Sequence, residues 1–120
     1  MEENRAEQKE ALETLVGFNE RLLKNMGIIT KELSGERLED TDAFLKDIIN
    51  AVNWEIGVMN GTLSLLNEGK ERVNKEQFNG KVMKFGEAIQ ANDDAKMAEA
   101  IKELIPEFEG LGQAAKEVIA

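Results

Sequence analysis

Cysteine and histidine are both absent from this chain of 120 residues. Without cysteine, neither a disulfide nor a thiolate nucleophile can form. Without histidine, the chain lacks the side chain that most often transfers protons near neutral pH and most often binds metal ions. Catalysis or metal binding would have to rest on carboxylates. We therefore expect no enzyme activity, no catalytic residue, no metal ligand and no cofactor.

Positive charge is scarce relative to negative charge. Lys and Arg number 15 against 24 Asp and Glu, which gives a net charge of −9. Nucleic acids and anionic membranes bind proteins through basic stripes that displace counterions, and neither half of this chain has an excess of basic residues. We expect no nucleic-acid or membrane partner. The acidity favours solubility, with an acidic face for a basic partner as the alternative.

Long apolar runs are also absent, so the sequence predicts no transmembrane helix. The first ten residues, MEENRAEQKE, are too charged for a secretory signal. The expected location of the protein is the cytoplasm.

Apolar residues recur at intervals of three and four through most of the chain, which is typical of amphipathic helices. The predicted helices span residues 2–34, 41–68, 74–91 and 94–119. Joined by short connections, they predict one all-α domain over residues 1–120, folded as an antiparallel up-down four-helix bundle. The first ten residues carry no apolar stripe, so we expect them to fray or project. Asn19 interrupts the stripe of the first helix, where a polar residue often fixes helix register.

Cap residues and a single proline mark the helix ends. Asp40 or Thr41 is expected to cap the second helix, and Asn74 followed by Gln77 has the form of a capping box for the third. Pro106, the only proline, removes one backbone hydrogen bond and either kinks or splits the last helix. We expect a kink, because the apolar spacing keeps its phase on both sides of the proline.

The stretch IINAVNWEIGVMNGTLSLLN, residues 48–67, has one charged residue, Glu55, in a chain that is 32% charged. Its apolar residues form two rows on a helical wheel, and Leu63 in the main row is predicted to be core. Gly57 and Gly61 lie on a third, polar row and have the spacing that lets another backbone come close. This helix is either a central helix sandwiched by the other three, or it presents a docking groove or dimer seam.

The candidate partner-binding residues lie on and beside the second apolar row of this helix. They are Ala51, Trp54, Glu55, Val58 and Leu65. Tryptophan is enriched at interfaces, and packing under a loop or against the first helix is the alternative for Trp54. Glu55 either pairs with a basic residue at the helix edge or is a buried acid with a perturbed pKa.

Three glutamates four residues apart, Glu99, Glu103 and Glu107, lie on one line of the last helix. Such carboxylates can bind a divalent cation. Lys96 and Lys102 flank them, however, and the row lies off the apolar seam of the helix. A solvated face is therefore the preferred interpretation, and a carboxylate-only metal site is the alternative.

From Phe78 onward, FNGKVMKFGEAIQANDDAKMAEAIKELIPEFEGL resembles the C-terminal part of a family of small uncharacterised bacterial helical proteins. The matching residues are Phe85, Ala88, Ile89, Asp93, Ala98, Leu104, Pro106 and Phe108. Members of that family are similar in size and helix pattern to flagellar export chaperones. The first helix has no clear counterpart there. The resemblance implies a bacterial helical bundle with a binding role.

These observations favour a non-enzymatic protein-interaction module, such as a small cytoplasmic chaperone or adaptor. One alternative is a structural homodimer whose seam is the second face of the second helix. Another, from a different class, is a carboxylate-only metal-binding protein. The expected partner is a protein, either of another kind or a second copy of the chain.

Overall fold

The computed structural model describes residues 2–120, with side chains from residue 5 onward, and this part of the chain is all-α. Its helices are α1 (Glu2–Leu33), α2 (Thr41–Leu66), α3 (Lys75–Ala91) and α4 (Asp94–Ile119). The predicted all-α class is therefore confirmed. Each helix begins and ends within two residues of the position expected from the sequence.

The N-terminal part of α1 is helical from Glu2 onward, and Met1 lies outside the described residues. That the first ten residues fray or project stays a prediction. This part of α1 makes one tertiary contact that the apolar pattern does not reveal. The guanidinium of Arg5 donates a hydrogen bond to the carboxylate of Glu68, just beyond the end of α2.

The predicted N-cap of α3 forms, but its capping box is incomplete, because the Gln77 side chain bonds to Glu107 of α4. The cap predicted for α2 does not form. The Asn74 side chain accepts a hydrogen bond of 3.0 Å from the backbone N–H of Gln77. Asp40 occupies the N-cap position of α2 but makes no side-chain capping bond. The Thr41 hydroxyl instead accepts from the backbone N–H of Leu38 and donates to the buried carboxylate of Glu32, both at 2.7 Å.

The centre of the elongated molecule, 48 × 24 × 18 Å, is formed by α1 and α4. Helix α1 packs against α4 and α2, whereas α3 packs against α4. Helix α2 makes a smaller contact with α4, and no α-carbon of α2 lies within 8 Å of one in α3. The interpretation of the second helix as the central one, sandwiched by the other three, is therefore wrong. Buried alanines such as Ala100 and Ala114 let neighbouring helices approach α4 closely instead.

The hydrophobic core runs along the α1–α4 contact and receives side chains from all four helices. Phe108 of α4 is fully buried and packs against Phe78 of α3, with ring centroids 4.9 Å apart and an interplanar angle of 60°. On α2, Met59 is fully buried. Leu63, one turn later and predicted to be core, is only partly buried, because α3 does not cover that side of α2.

Helix α4 continues through Pro106, which is exposed, so the helix is not split there. Proline has no N–H to donate within the helix, and in an unadapted helix interior it costs about 3 kcal/mol relative to alanine. We expect Pro106→Ala to leave the fold unchanged and to raise the thermal midpoint measured by circular dichroism. A lowered midpoint would show that packing around α4 requires the geometry that proline imposes.

Candidate interaction surface

The side of α2 turned away from the core is exposed and uncharged. We call it the outer face, and it consists of Asn50, Asn53, Trp54, Gly57, Asn60, Gly61 and Ser64, all of them exposed. At a rise of 1.5 Å per residue, it extends for roughly 21 Å. Between Asp47 and Glu68 the only charged side chain is that of Glu55, and it is buried. The outer face is therefore a neutral strip on a strongly acidic protein.

Trp54 lies where the outer face meets α1. Its ring packs against Phe18 of α1, with centroids 5.0 Å apart and an interplanar angle of 58°. Even so, 41% of the residue remains exposed. Trp54 therefore both packs against the first helix and is presented to solvent. The sequence analysis treated these as alternatives. The sequence analysis predicted no role for Phe18. The signal that could have revealed it is an aromatic residue on an otherwise polar flank of α1.

Two shallow grooves lie along the α1–α2 seam, and the predicted residues Ala51 and Val58 line one each. The groove at Ala51 has a volume of about 270 Å³ and is lined by Phe18, Arg21, Leu22, Asn25, Phe44, Asp47, Ile48 and Ala51. The groove at Val58 has a volume of about 290 Å³ and is lined by Glu7, Gln8, Ala11, Val58, Gly61 and Thr62. The outer face is thus bordered on its α1 side by partly apolar depressions.

The two glycines of the outer face have open space around them. Apart from the adjacent residues and backbone of α2 itself, a Cβ atom built on Gly57 or Gly61 would meet no atom within 4 Å. Neither glycine therefore serves a close approach between helices of this chain. Each costs about 1 kcal/mol of helix stability relative to alanine, and no contact within the described residues offsets that cost.

Two of the predicted partner-binding residues are buried instead of presented. Leu65 is part of the core, and Glu55 has no exposed surface at all. The structure therefore brings Ala51, Trp54 and Val58 together along the seam and removes Glu55 and Leu65 from it. On the wheel all five share one side of α2, but the wheel does not show how deeply α1 covers that side.

Glu55 occupies a polar site inside the core where α1, α2 and α4 meet. The Asn19 amide donates to the Glu55 carboxyl at 2.8 Å and to the backbone carbonyl of Phe108 at 3.1 Å. The second oxygen, Oε2, has no hydrogen-bond partner. A Cβ on Gly112 of α4 would lie 2.5 Å from the Asn19 side-chain oxygen, so the absent side chain makes room for Asn19.

Burial raises the pKa of Glu55 to about 7, and the hydrogen bond from Asn19 lowers it in part. No Lys or Arg pairs with this carboxyl, so the interpretation of Glu55 as an edge residue paired with a base is wrong. The alternative, a buried acid with a perturbed pKa, describes the site. Asn19 contacts two neighbouring helices from α1, as expected of a residue that fixes register.

The glutamate row of α4 is occupied by contacts with α3. Lys81 donates to Glu103 at 2.9 Å, and Gln77 donates to Glu107 at 2.6 Å. The nearby lysines hold the pKa of Glu103 below its usual value. Over the described residues, no group of three or more carboxylates has a metal-binding arrangement. The larger groove beside this row, about 720 Å³, carries both lysines and glutamates on its walls.

Comparison with known proteins gives one match. A family model described as a domain of unknown function, DUF8042, matches residues 10–114. The chain belongs to this family. No curated protein and no solved structure shows a significant match.

The DUF8042 match begins in α1 and ends in α4, so it contains the outer face and the Glu55 site. An uncharacterised family was expected from the C-terminal half of the sequence. The DUF8042 match also covers most of the first helix, for which the sequence resemblance offered no counterpart. Within the described residues, no helix of this DUF8042 domain has the length and apolarity needed to cross a membrane.

Proposed function

We propose that the protein is a non-enzymatic interaction module that binds another protein through the outer face of α2. The observation that supports this is the neutral strip itself. Exposed helix surfaces of an acidic protein normally carry charge, and burying an unpaired charge at an interface costs several kcal/mol. A strip without charge avoids that penalty, and its asparagines can donate to and accept from a partner while remaining well solvated when free.

The partner that fits this surface best is an α-helix with a small-residue or apolar stripe. Gly57 and Gly61 leave space for a second backbone, and closely approaching helices use such small residues at their contact. Trp54 offers a large, partly exposed ring at the edge of the strip, and aromatic anchors of this kind dominate many interfaces.

A role as a small chaperone or adaptor in the bacterial cytoplasm agrees with this mode of binding. In helix-in-groove recognition, an amphipathic helix lays its apolar face against a groove of the protein that binds it. The similarity of the helix pattern to flagellar export chaperones belongs to the same proposal and rests on the sequence resemblance alone.

A homodimer through the same face is the second candidate. A two-fold interface brings the same patch of both subunits together. Two copies of a chain with net charge −9 repel each other over most of their surfaces, and the neutral strip is where this repulsion is smallest. Asparagine side chains carry both donors and acceptors, so they can pair with their own copies.

We also propose that the four helices are arranged antiparallel, in up-down order. Between α1 and α2, Arg5 pairs with Glu68 and Glu32 bonds to Thr41, so the start of one helix lies beside the end of the other. The polar pairs that join α3 to α4 follow the same order, and they are Gln77 with Glu107 and Lys81 with Glu103.

The test places charge on the outer face without disturbing the core. The double variant Asn53→Glu, Asn60→Glu changes two exposed residues of α2, and the control Gln90→Glu, Gln113→Glu adds the same charge to exposed positions of α3 and α4. We expect both variants to fold as the wild type by circular dichroism. We expect only the outer-face variant to lose partner binding more than tenfold, because it must bury two carboxylates.

Binding is measured by pull-down with tagged protein and self-association by light scattering. Proteins retained by the wild type and the control but lost by the outer-face variant support a heterologous partner. A dimer that dissociates only in the outer-face variant supports the second candidate. Equal binding by all three proteins would show that the outer face is not the binding surface.

A further inference from the structure

Glu55 is fully buried, its carboxyl receives a single hydrogen bond and no ion pair, and its second oxygen has no partner. Its position between α1, α2 and α4 places it on the surface that closes when α2 packs. We propose that Glu55 is a pH-sensitive switch for α2: the helix packs against α1 and α4 with Glu55 protonated, and ionisation of Glu55 favours separation of α2 from them.

The geometry of the site favours the neutral acid. Oε2 has no partner, and a buried carboxylate with one hydrogen bond lacks most of the solvation that it has in water. The protonated carboxyl needs fewer partners and still accepts the bond of 2.8 Å from Asn19. Asn19 fills the space left by Gly112, and its second hydrogen bond, to the backbone carbonyl of Phe108, holds the amide there.

The charged groups on the packed elements do not stabilise an ionised Glu55. On α1, Glu20 and Arg21 follow Asn19 but are exposed, and Glu20 lies 3.9 Å from Lys116 of α4. On α4, Glu107 and Glu109 flank Phe108, and Glu107 bonds to Gln77. Along α2 itself, the neighbouring charges are Asp47 and Glu68, two turns or more away. None of these groups forms a hydrogen bond or ion pair with Glu55.

Helix α2 can also separate without breaking the packing among the other three helices, because neither the α1–α4 contact nor the α3–α4 contact involves it. It packs against α1 and less extensively against α4, and no α-carbon of α2 lies within 8 Å of one in α3. The turns that flank it contain Gly35 and Gly69, both at positive φ (123° and 82°), a conformation that glycine adopts without strain. The α1–α4 and α4–α3 contacts remain when α2 moves.

The pH dependence has a definite sign. The pKa of Glu55 is about 7 when α2 is packed, against a usual value of 4.5. Between these values the packed state holds a proton that the open state has lost, so rising pH favours opening across this window. The opening constant should rise about tenfold per pH unit and level off above pH 7, for a total of about 300-fold.

The experiment compares amide hydrogen exchange of α2 from pH 5 to 8 in the wild type, Glu55→Gln and the control Glu99→Gln, which changes an exposed acid of α4. After correction for intrinsic exchange, the opening of Val52 and Met59 should follow the predicted rise in the wild type and the control, and stay flat in Glu55→Gln. At pH 7.5 these amides should open more often than that of Leu104 on α4.

A rise of the same slope in Glu55→Gln would overturn the proposal, and so would equal opening of Met59 and Leu104, which would mean that the whole fold responds. A direct titration of the Glu55 carboxyl by carbon NMR in the wild type gives a second result that does not depend on how the variant folds. A midpoint near 7 supports the switch, and a midpoint near 4.5 overturns it.

Discussion

Met59→Asp is expected to unfold the protein. Met59 has no exposed surface, so a carboxylate at this position would be buried without a partner. The shorter side chain would also leave a cavity where the methionine side chain packs. Either consequence costs several kcal/mol. Domains of this size have a free energy of unfolding of only about 5–15 kcal/mol. The far-ultraviolet circular dichroism of the variant should therefore be that of a largely unfolded chain at room temperature.

Val58→Asp is the matched variant at the neighbouring position. Val58 is half-buried on the wall of a groove, so its carboxylate can reach water. We expect this variant to stay folded, with a loss of about 1–2 kcal/mol for the apolar contact removed, and to bind partners more weakly. If it unfolds as Met59→Asp does, the α1 side of α2 is core throughout and offers no binding surface.

Phe108→Ala is expected to lower the free energy of unfolding by about 3–5 kcal/mol, the range for removing a buried aromatic ring. Phe108 is fully buried, and its ring packs against Phe78 at 4.9 Å, so the cavity would lie between α4 and α3. Urea denaturation followed by circular dichroism measures the change. The midpoint should fall while the dependence on urea stays the same.

Met83→Ala is the control for this measurement, because Met83 is 66% exposed on α3. It should change the free energy of unfolding by less than about 0.5 kcal/mol. A loss of less than 1 kcal/mol in Phe108→Ala would contradict the packing of α3 on α4 described above.

Local patterns were enough to predict the helices. Asn74 caps α3 as expected, because an N-cap is determined within a few residues. The Gln77 half of the predicted capping box does not form, since that side chain bonds to Glu107 of another helix. Asp40 makes no side-chain capping bond, and the neighbouring Thr41 bonds to Glu32 from the preceding helix. A contact across the chain cannot be read from the local pattern around Asp40.

The order of helix packing could not be predicted, because an apolar row does not state which helix covers it. The two rows of α2 suggested a central helix, yet α3 packs elsewhere and leaves Leu63 partly exposed. For the same reason, the sequence could not decide whether Glu55 is buried. Its partner Asn19 and the space left by Gly112 belong to other helices, and their signals are meaningful only once the three helices are placed together.

The position of Trp54 has a practical consequence. It is the only tryptophan, and the chain contains no tyrosine, so nearly all ultraviolet emission of the protein originates from this one ring. Because the ring is partly exposed and packs on Phe18 across the α1–α2 seam, we expect its emission wavelength to change if a chain binds at this surface or if α2 moves. The protein therefore carries an intrinsic, label-free optical probe at its own candidate binding surface.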